Sequence, residues 1–350
     1  MKVFKIAMAF VGMLIGAGFA SGQEVMQYFT AFGVWGIAGS LLAVAIFVFF
    51  GYILVDLGNR YNAVSHHDVL SKIASPIMAK IFDVFLLFVL FGIGVVMVAG
   101  AGSNLNQQFG LPVWVGSLAV CILVVVIGSM DTDRVLTAIG AMAPFLILLI
   151  VVISVMTIFT TDWNFTQLHN EAIANVDTTL PNWWMSAINY GAVNLITAVP
   201  TAFLLGGTEK NSKTARKGGL LGGLVTGLLI VVINVTLFAV ASDVAGYDMP
   251  MLQMAEMVSP FVGLIMSVLI FLEIWNTAMS VLYSFSTRFV NPKEKKFNGL
   301  LILVVIAAFV LSFGGFTNVI GTVYPLIGYG GMIILAILAY KWSKLKFAKN

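Results

Sequence analysis

Charged residues are scarce in this chain: Lys, Arg, Asp and Glu make up 9% of its 350 residues, against about 25% in a soluble domain. Apolar residues make up 60%, and so few charges could not cover the core of a soluble fold. The chain is therefore predicted to be an integral membrane protein. Its net charge of +3 is too small and too scattered for a nucleic-acid-binding surface, so no nucleic-acid partner is expected.

Histidine and cysteine are equally rare, with three His and one Cys in the chain. These numbers exclude a rich metal site and a disulfide framework. The lone Cys121 lies in an apolar run and is expected to pack as a small hydrophobic residue. The HExxH, P-loop and GxSxG motifs are missing, and no His falls within a predicted span. An enzyme is therefore not expected, and the only cofactor considered is a coupling ion, Na⁺ or H⁺.

Long apolar runs are abundant, and ten of them are candidates for membrane-spanning helices of about 17 to 25 residues. With the N-terminus in the cytoplasm, all 18 Lys and Arg residues, including Arg134 and Lys349, fall on the cytoplasmic side, as the positive-inside rule requires. We expect an all-α, multi-pass protein of the bacterial plasma membrane with both termini in the cytoplasm. The spans cover approximately 4–31, 35–57, 78–104, 113–129, 136–160, 184–207, 218–242, 259–287, 299–313 and 318–341.

The first 22 residues also resemble a secretory signal peptide, with a basic start, an apolar middle and a small-residue ending. Three glycines in this stretch, Gly12, Gly16 and Gly18, favour a different interpretation. We expect the segment to be retained as the first spanning helix.

Two spans contain residues that weaken a helix near the middle of the membrane. The first holds Gly16, Gly18 and Gly22, and each Gly costs a helix about 1 kcal/mol relative to Ala. The sixth holds the segment 189–194 followed by Pro200. Both spans are predicted to be broken at mid-membrane, where unwound backbone survives only beside protein or a water-filled cavity.

The two predicted breaks lie about half a chain apart, which indicates an internal repeat. Ala17 and Gly191 are separated by 174 of the 350 residues. With five spans in each half, the second half has the opposite orientation in the membrane. The chain is therefore predicted to be a single domain, 1–350, built from an inverted repeat over about 1–160 and 184–342. Paired interrupted spans of this kind indicate the central site of a transporter. The alternative is close helix packing, which is favoured for the seventh-span glycines Gly218, Gly219, Gly222, Gly223 and Gly227.

This pattern resembles the LeuT-type fold of the amino acid–polyamine–organocation superfamily. The string from Ile15 to Glu24 is similar to the YkvI-like bacterial membrane proteins. The resemblance implies alternating access around a substrate held between spans 1, 3, 6 and 8. It also implies a coupling Na⁺ between spans 1 and 8, with the carbonyls near Ile15 and Gly16 and the hydroxyls of Thr277 and Ser280 as candidate ligands.

Two carboxylates stand out because they fall within spans, where ionisable groups are costly and usually functional. Glu273 lies near the middle of the eighth span and Glu24 just past the first break. A polar stripe shares one face of the eighth span at helical spacing: Glu273, Thr277, Ser280, Ser284 and Thr287. The stripe can bind Na⁺, Glu273 can carry a proton when desolvated, or the stripe can form ordinary hydrogen bonds between helices.

Glu24 has two possible roles. It can face away from the break and cap its own helix, or it can bind a proton or the ammonium group of a zwitterionic or cationic substrate. Either role disfavours an anionic substrate. Most other acids are expected at the surface, including Asp56, which is placed four residues before Arg60 and predicted to form a surface pair with it.

The candidate residues fall into two overlapping sets. The coupling-ion or proton set comprises Ile15, Gly16, Glu24, Glu273, Thr277 and Ser280. The substrate-binding set comprises Gly16, Ala17, Gly18, Phe19, Ala20, Ser21, Gly22, Glu24, Asn189, Tyr190, Gly191 and Asn194.

The resulting hypothesis is a secondary active transporter of a small amino acid or amine, driven by Na⁺ or H⁺. Its expected partners are a small-molecule solute and the lipid bilayer, and no oligomeric state is assigned. A membrane receptor on the same fold, which binds a solute without moving it, is the alternative. A channel ranks third, because the sequence contains no repeated filter motif.

Overall fold

The computed structural model describes residues 2–129 and 143–347, and these residues contain helices and no strand. The all-α prediction is confirmed. The α-helices are α1 (Lys2–Leu14), α2 (Ala17–Ser21), α3 (Gln23–Tyr28), α4 (Val34–Arg60), α5 (His66–Ile73), α6 (Pro76–Phe109), α7 (Val113–Gly128), α8 (Ala143–Thr160), α9 (Phe165–Asn175), α10 (Trp183–Gly207), α11 (Ser212–Ala239), α12 (Ala241–Val244), α13 (Pro250–Val258), α14 (Pro260–Thr287), α15 (Lys296–Ser312) and α16 (Phe316–Phe347).

Six of these helices, α4, α6, α10, α11, α14 and α16, are long and apolar enough to cross a membrane. Three more, α7, α8 and α15, are shorter apolar helices, and α1 to α3 divide the first predicted span. In lipid a helix satisfies its own backbone groups, which is why these apolar runs are helical. The count of ten spans stays a prediction, because the start of the fifth span, with Arg134, lies outside the described residues, as does Lys349.

The first span is broken, as its glycines predicted, and the helix is interrupted at two places. Ile15 and Gly16 leave the helix, and Gly16 has an extended backbone with φ −117° and ψ −173°. Gly22 has a φ of +81°, which L-residues with a side chain rarely adopt. A Cβ at Gly22 would also lie 2.7 Å from the Met251 side chain of α13, so both the backbone angle and the packing require glycine there.

The predicted break in the sixth span is wrong, because α10 is a continuous helix from Trp183 to Gly207. The amides expected to mark the break have partners that leave the helix intact. Asn194 Nδ2 donates to the Tyr190 carbonyl one turn away at 3.0 Å. Pro200 lies inside α10. A spanning helix tolerates proline when other groups bond the carbonyl that proline leaves without a helical partner.

Glycines bring α11 into direct backbone contact with α4, which supports the packing interpretation of the seventh span. A Cβ at Gly219 would overlap the Gly51 carbonyl, and one at Gly223 would overlap the Phe47 carbonyl. The same holds between α10 and α4, where a Cβ at Gly206 would overlap the Val55 carbonyl. Small residues therefore let three long helices touch through their backbones.

Asp56 is not a surface residue as predicted: its side chain is fully buried. Arg60 Nε donates to one carboxylate oxygen at 2.6 Å and Arg216 Nε to the other at 2.6 Å. Trp342 Nε1 donates a third hydrogen bond at 2.8 Å. A buried charge needs partners of this kind, and they join the end of α4, the start of α11 and the end of α16. We call this end of the bundle, where α14 also finishes, the basic end.

The opposite end lies where α11 finishes and α14 begins, and it holds Asp243, Asp248 and Glu256 on or beside α12 and α13. We call it the acidic end. The segment between these two spanning helices contains α12 and α13.

Candidate functional site

A cavity of about 420 Å³ lies beside the first break of the broken span. Its wall comes from α1, α2 and α3 on one side and from α6, α10, α14 and α16 on the others. The cavity reaches from Glu24 to Arg288, which follows the last residue of α14 at the basic end. A volume of this size is typical of a site for a small molecule.

Glu24 lies in the first turn of α3 and is almost fully buried, with 5% of its surface exposed. Its carboxylate folds back over Gly18, where an added Cβ would overlap its Oε1 atom. A side chain at position 18 would therefore displace this carboxylate from its place over α2. Glu24 does not simply cap α3 away from the site, because it lines the cavity together with Tyr324 of α16.

Glu273 lies on α14 and lines the same cavity, with 6% of its surface exposed and Asn276 in the lining beside it. Thr277, Ser280 and Ser284 of the predicted stripe line the cavity with it, whereas Thr287 does not and donates to the Ser284 carbonyl at 2.8 Å. The stripe therefore forms one wall of the cavity over about three helical turns.

The first break faces this wall. A Cβ placed on Gly16 would lie 3.8 Å from Thr277 Oγ1, and Ile15 also lines the cavity. The end of α1 leaves backbone carbonyls without helical partners. Hydroxyl and carbonyl oxygens suit a hard cation, so these atoms fit the predicted coupling site. The residues described contain no cluster of three or more His, Cys, Asp and Glu that could hold a metal ion.

The predicted substrate-binding residues divide between the cavity and the surrounding packing. The cavity is lined by Gly16, Ala17, Gly18, Phe19, Glu24 and Asn194. It is not lined by Ala20, Ser21, Gly22, Asn189, Tyr190 or Gly191.

Contacts with neighbouring helices account for the residues outside the cavity. Ser21 donates to the Gly18 carbonyl at 2.8 Å within α2. Tyr190 packs against the rings of Tyr28 and Phe29, and a Cβ at Gly191 would lie 2.7 Å from Ile46 of α4. The middle of α10 therefore uses these residues to hold the bundle, and only Asn194 of this group reaches the cavity.

Sequence reasoning missed three parts of the cavity wall. Tyr324 of α16 is 4% exposed, and Arg288 lies at the basic end. Both residues were missed because the residues beside them in the cavity are distant in sequence. The pair Tyr324-Pro325 inside a span was the one sequence signal that could have drawn attention to α16. The apolar part of the wall was also missed: Leu86, Leu90, Ile93 and Met97 of α6.

Polar contacts close the acidic end of the bundle. The Asp248 carboxylate accepts hydrogen bonds from Ser103 of α6 at 2.6 Å and from Thr317 of α16 at 2.5 Å. The Gln107 side chain donates to the Met249 carbonyl at 3.1 Å and accepts from the Met249 amide at 3.0 Å. We call these contacts the acidic-end seal; none of its residues lines the cavity.

No family model matches the chain. The membrane protein YkvI of Bacillus subtilis (strain 168) is 29% identical over 342 residues, which cover 96% of this chain and 95% of YkvI. The YyaD protein of the same organism is 29% identical over 333 residues, which cover 94% of this chain and 93% of YyaD. The predicted resemblance to YkvI-like proteins is confirmed.

Solved structures with a LeuT-type fold cover nearly the whole chain. MhsT, solved in complex with L-phenylalanine, superposes with a TM-score of 0.64 at 12% identity, over 96% of this chain and 86% of MhsT. Mhp1 in its inward-facing conformation gives 0.63 at 13% identity, over 97% of this chain and 76% of Mhp1. A Na⁺-coupled sialic acid symporter in a substrate-bound outward-open state gives 0.56 at 17% identity, over 96% of this chain and 86% of the symporter. The predicted LeuT-type fold is confirmed.

Proposed function

We propose that this LeuT-type homologue of YkvI is a secondary active transporter of a small zwitterionic or cationic organic solute, an amino acid or an amine. Transport is driven by Na⁺ or H⁺ across the plasma membrane, with both termini in the cytoplasm. One observation carries the proposal: a single cavity beside the helix break holds two buried carboxylates, Glu24 and Glu273.

The charges of the cavity favour a cationic occupant. Among the described residues that line it, Arg288 is the one basic side chain, and it lies at the basic end beyond the two carboxylates. A buried carboxylate is costly unless a cation or a proton compensates it. An ammonium group of the solute can compensate Glu24, and a proton or Na⁺ can compensate Glu273. The apolar wall from α6 then accommodates the rest of the solute.

The two ends of the bundle support alternating access. The acidic-end seal closes one side, whereas the cavity extends to Arg288 on the other. With the basic end in the cytoplasm, this arrangement corresponds to a conformation that receives or releases solute on the inner side. Opening the acidic end while closing the basic end would make the same two carboxylates accessible from the opposite side of the membrane.

Reconstitution in liposomes tests the proposal. We expect at least one of a panel of labelled amino acids and amines to accumulate under an imposed Na⁺ or pH gradient. Glu273→Gln should abolish the gradient dependence, whereas Glu294→Gln, which changes an exposed loop carboxylate, should not. Unchanged coupled uptake in Glu273→Gln would remove this carboxylate from the mechanism. Saturable binding without gradient-driven uptake would support a receptor and overturn transport.

A further inference from the structure

The contact between Glu24 and α16 brings a further span into the proposed site. Tyr324 lines the cavity together with Glu24, and its hydroxyl lies near the Glu24 carboxylate. It lies about 300 residues from Glu24 in the chain. The resemblance drawn from the sequence placed the substrate between spans 1, 3, 6 and 8, so the tenth span is an addition to it.

Pro325 follows Tyr324 directly and gives this part of α16 unusual partners. Proline lacks an N–H, so the carbonyl one turn earlier, on Gly321, loses its helical partner. Thr179 Oγ1 donates to that carbonyl at 2.8 Å. The Pro325 carbonyl accepts from Asn189 Nδ2 of α10 at 3.1 Å. Side chains from outside the helix therefore fix α16 on both sides of Tyr324.

Asn189 also connects this segment to the helix that carries Glu24. Its Oδ1 atom accepts a hydrogen bond from the Tyr28 hydroxyl at 3.1 Å. Glu24 and Tyr28 are four residues apart on α3 and so lie on the same helix face. The two helices are thus joined through Tyr28, Asn189 and Pro325, beside the place where Glu24 and Tyr324 both line the cavity.

We propose that Tyr324 is a positioning residue of the solute site: its hydroxyl holds the Glu24 carboxylate where it meets the cationic group of the solute, and Asn189 and Pro325 set the position of Tyr324. A hydroxyl bound to one carboxylate oxygen leaves the other free to meet the solute. This inference rests on the proposed function for the identity of the solute, but the contact itself can be tested without transport.

The probe for the contact is dicyclohexylcarbodiimide, an apolar reagent that modifies protonated carboxyl groups within membranes. Mass spectrometry of the full-length protein in detergent gives the labelling of Glu24 and Glu273 separately as a function of pH. The titratable or charged groups around Glu24 are Tyr28 on its own helix, Tyr190 on α10, Tyr324 on α16, and Glu273 and Arg288 across the cavity.

Tyr324→Phe removes only the hydroxyl, and a hydrogen bond to a carboxylate favours its ionised form. In the variant, labelling of Glu24 should therefore persist to a pH higher by about one unit, as expected for one charge-assisted hydrogen bond. Labelling of Glu273 should keep its pH dependence. Tyr340→Phe, an exposed position on the same helix, is the matched control and should change neither.

Asn189→Ala provides a second variant that leaves both Tyr324 and Glu24 in place. It should shift the Glu24 labelling curve in the same direction by a smaller amount, and this variant decides the question if Tyr324→Phe does not fold. An unchanged Glu24 curve, or an equal shift of Glu24 and Glu273, would overturn the proposal, because it would indicate no contact or a general loosening of the bundle.

A protection assay separates this inference from the proposed function. L-amino acids, methylamine and putrescine are added during labelling, and a solute that protects Glu24 in the wild type should protect it about tenfold less well in Tyr324→Phe. Equal protection in both proteins would overturn the role in solute binding. If no solute protects while the labelling curves shift, the proposed solute class fails and the positioning of Glu24 by Tyr324 stands.

Discussion

An acid joins several helices at each end of the bundle, but the contacts at the acidic end close it, whereas those at the basic end leave the cavity open toward Arg288. Asp248 ties α6 to α16, while Asp56 ties α4, α11 and α16 together away from the cavity lining. Both are acids with several donors. The comparison teaches that the position of a carboxylate relative to the cavity decides whether its bonds control access or only stability.

The largest expected effect comes from filling the open end. Ser284→Trp places an indole in the cavity wall near Arg288, and we expect gradient-driven uptake to fall to the level of empty liposomes because solute can no longer pass. Thr287→Trp, one helical turn away and outside the lining, is the matched control. Equal uptake in the two variants would mean that the basic end is not the access route.

Loosening the seal should have the next largest effect. Asp248→Asn weakens the bonds from Ser103 and Thr317, and bonds to a charged group contribute about 1.5–3 kcal/mol. Hydrogen–deuterium exchange of α13 should therefore accelerate about tenfold. Asp243→Asn changes an exposed acid at the same end and should leave the exchange rate unaltered. Similar rates in both variants would contradict the role of Asp248 in closing this end.

A smaller effect is expected from the neutral part of the seal. Gln107→Ala removes two hydrogen bonds to the Met249 backbone, and part of their free energy is recovered by water. Exchange of α13 should accelerate about fivefold, which corresponds to roughly 1 kcal/mol. The control is Asn106→Ala, whose side chain bonds the Leu111 carbonyl instead. An acceleration larger than that of Asp248→Asn would reverse the expected order.

The smallest effect is expected at the basic end. Trp342→Phe removes one of three donors to Asp56 but keeps an aromatic ring against Tyr52, whose ring centroid lies 5.7 Å away. We expect a loss of about 1 kcal/mol in stability, seen as a lower Tm in detergent, with unchanged uptake. Trp184→Phe, at an exposed tryptophan, should leave the Tm unchanged. Altered uptake would show that the Asp56 contacts also affect access.

The sequence predicted features whose causes are local. The break at Gly16 follows from glycines within a few residues, and the stripe from Glu273 to Ser284 follows from helical spacing alone. The sixth span was assigned a break on similar composition, but partners on other helices hold Asn189 and keep α10 intact. Tyr324 and the burial of Asp56 were missed because Glu24 lies 300 residues from Tyr324, and Arg216 and Trp342 lie 160 residues or more from Asp56.

The backbone contacts that glycine permits between α4, α10 and α11 have a mechanical consequence. Side chains that interdigitate can change rotamer and slide past one another, but two main chains in contact can only separate or stay together. Any change that opens the acidic end must therefore carry these three helices as one rigid block. Bending has to take place where this block meets the rest of the bundle. The two breaks in the first span lie at such a place, beside α11 and α14.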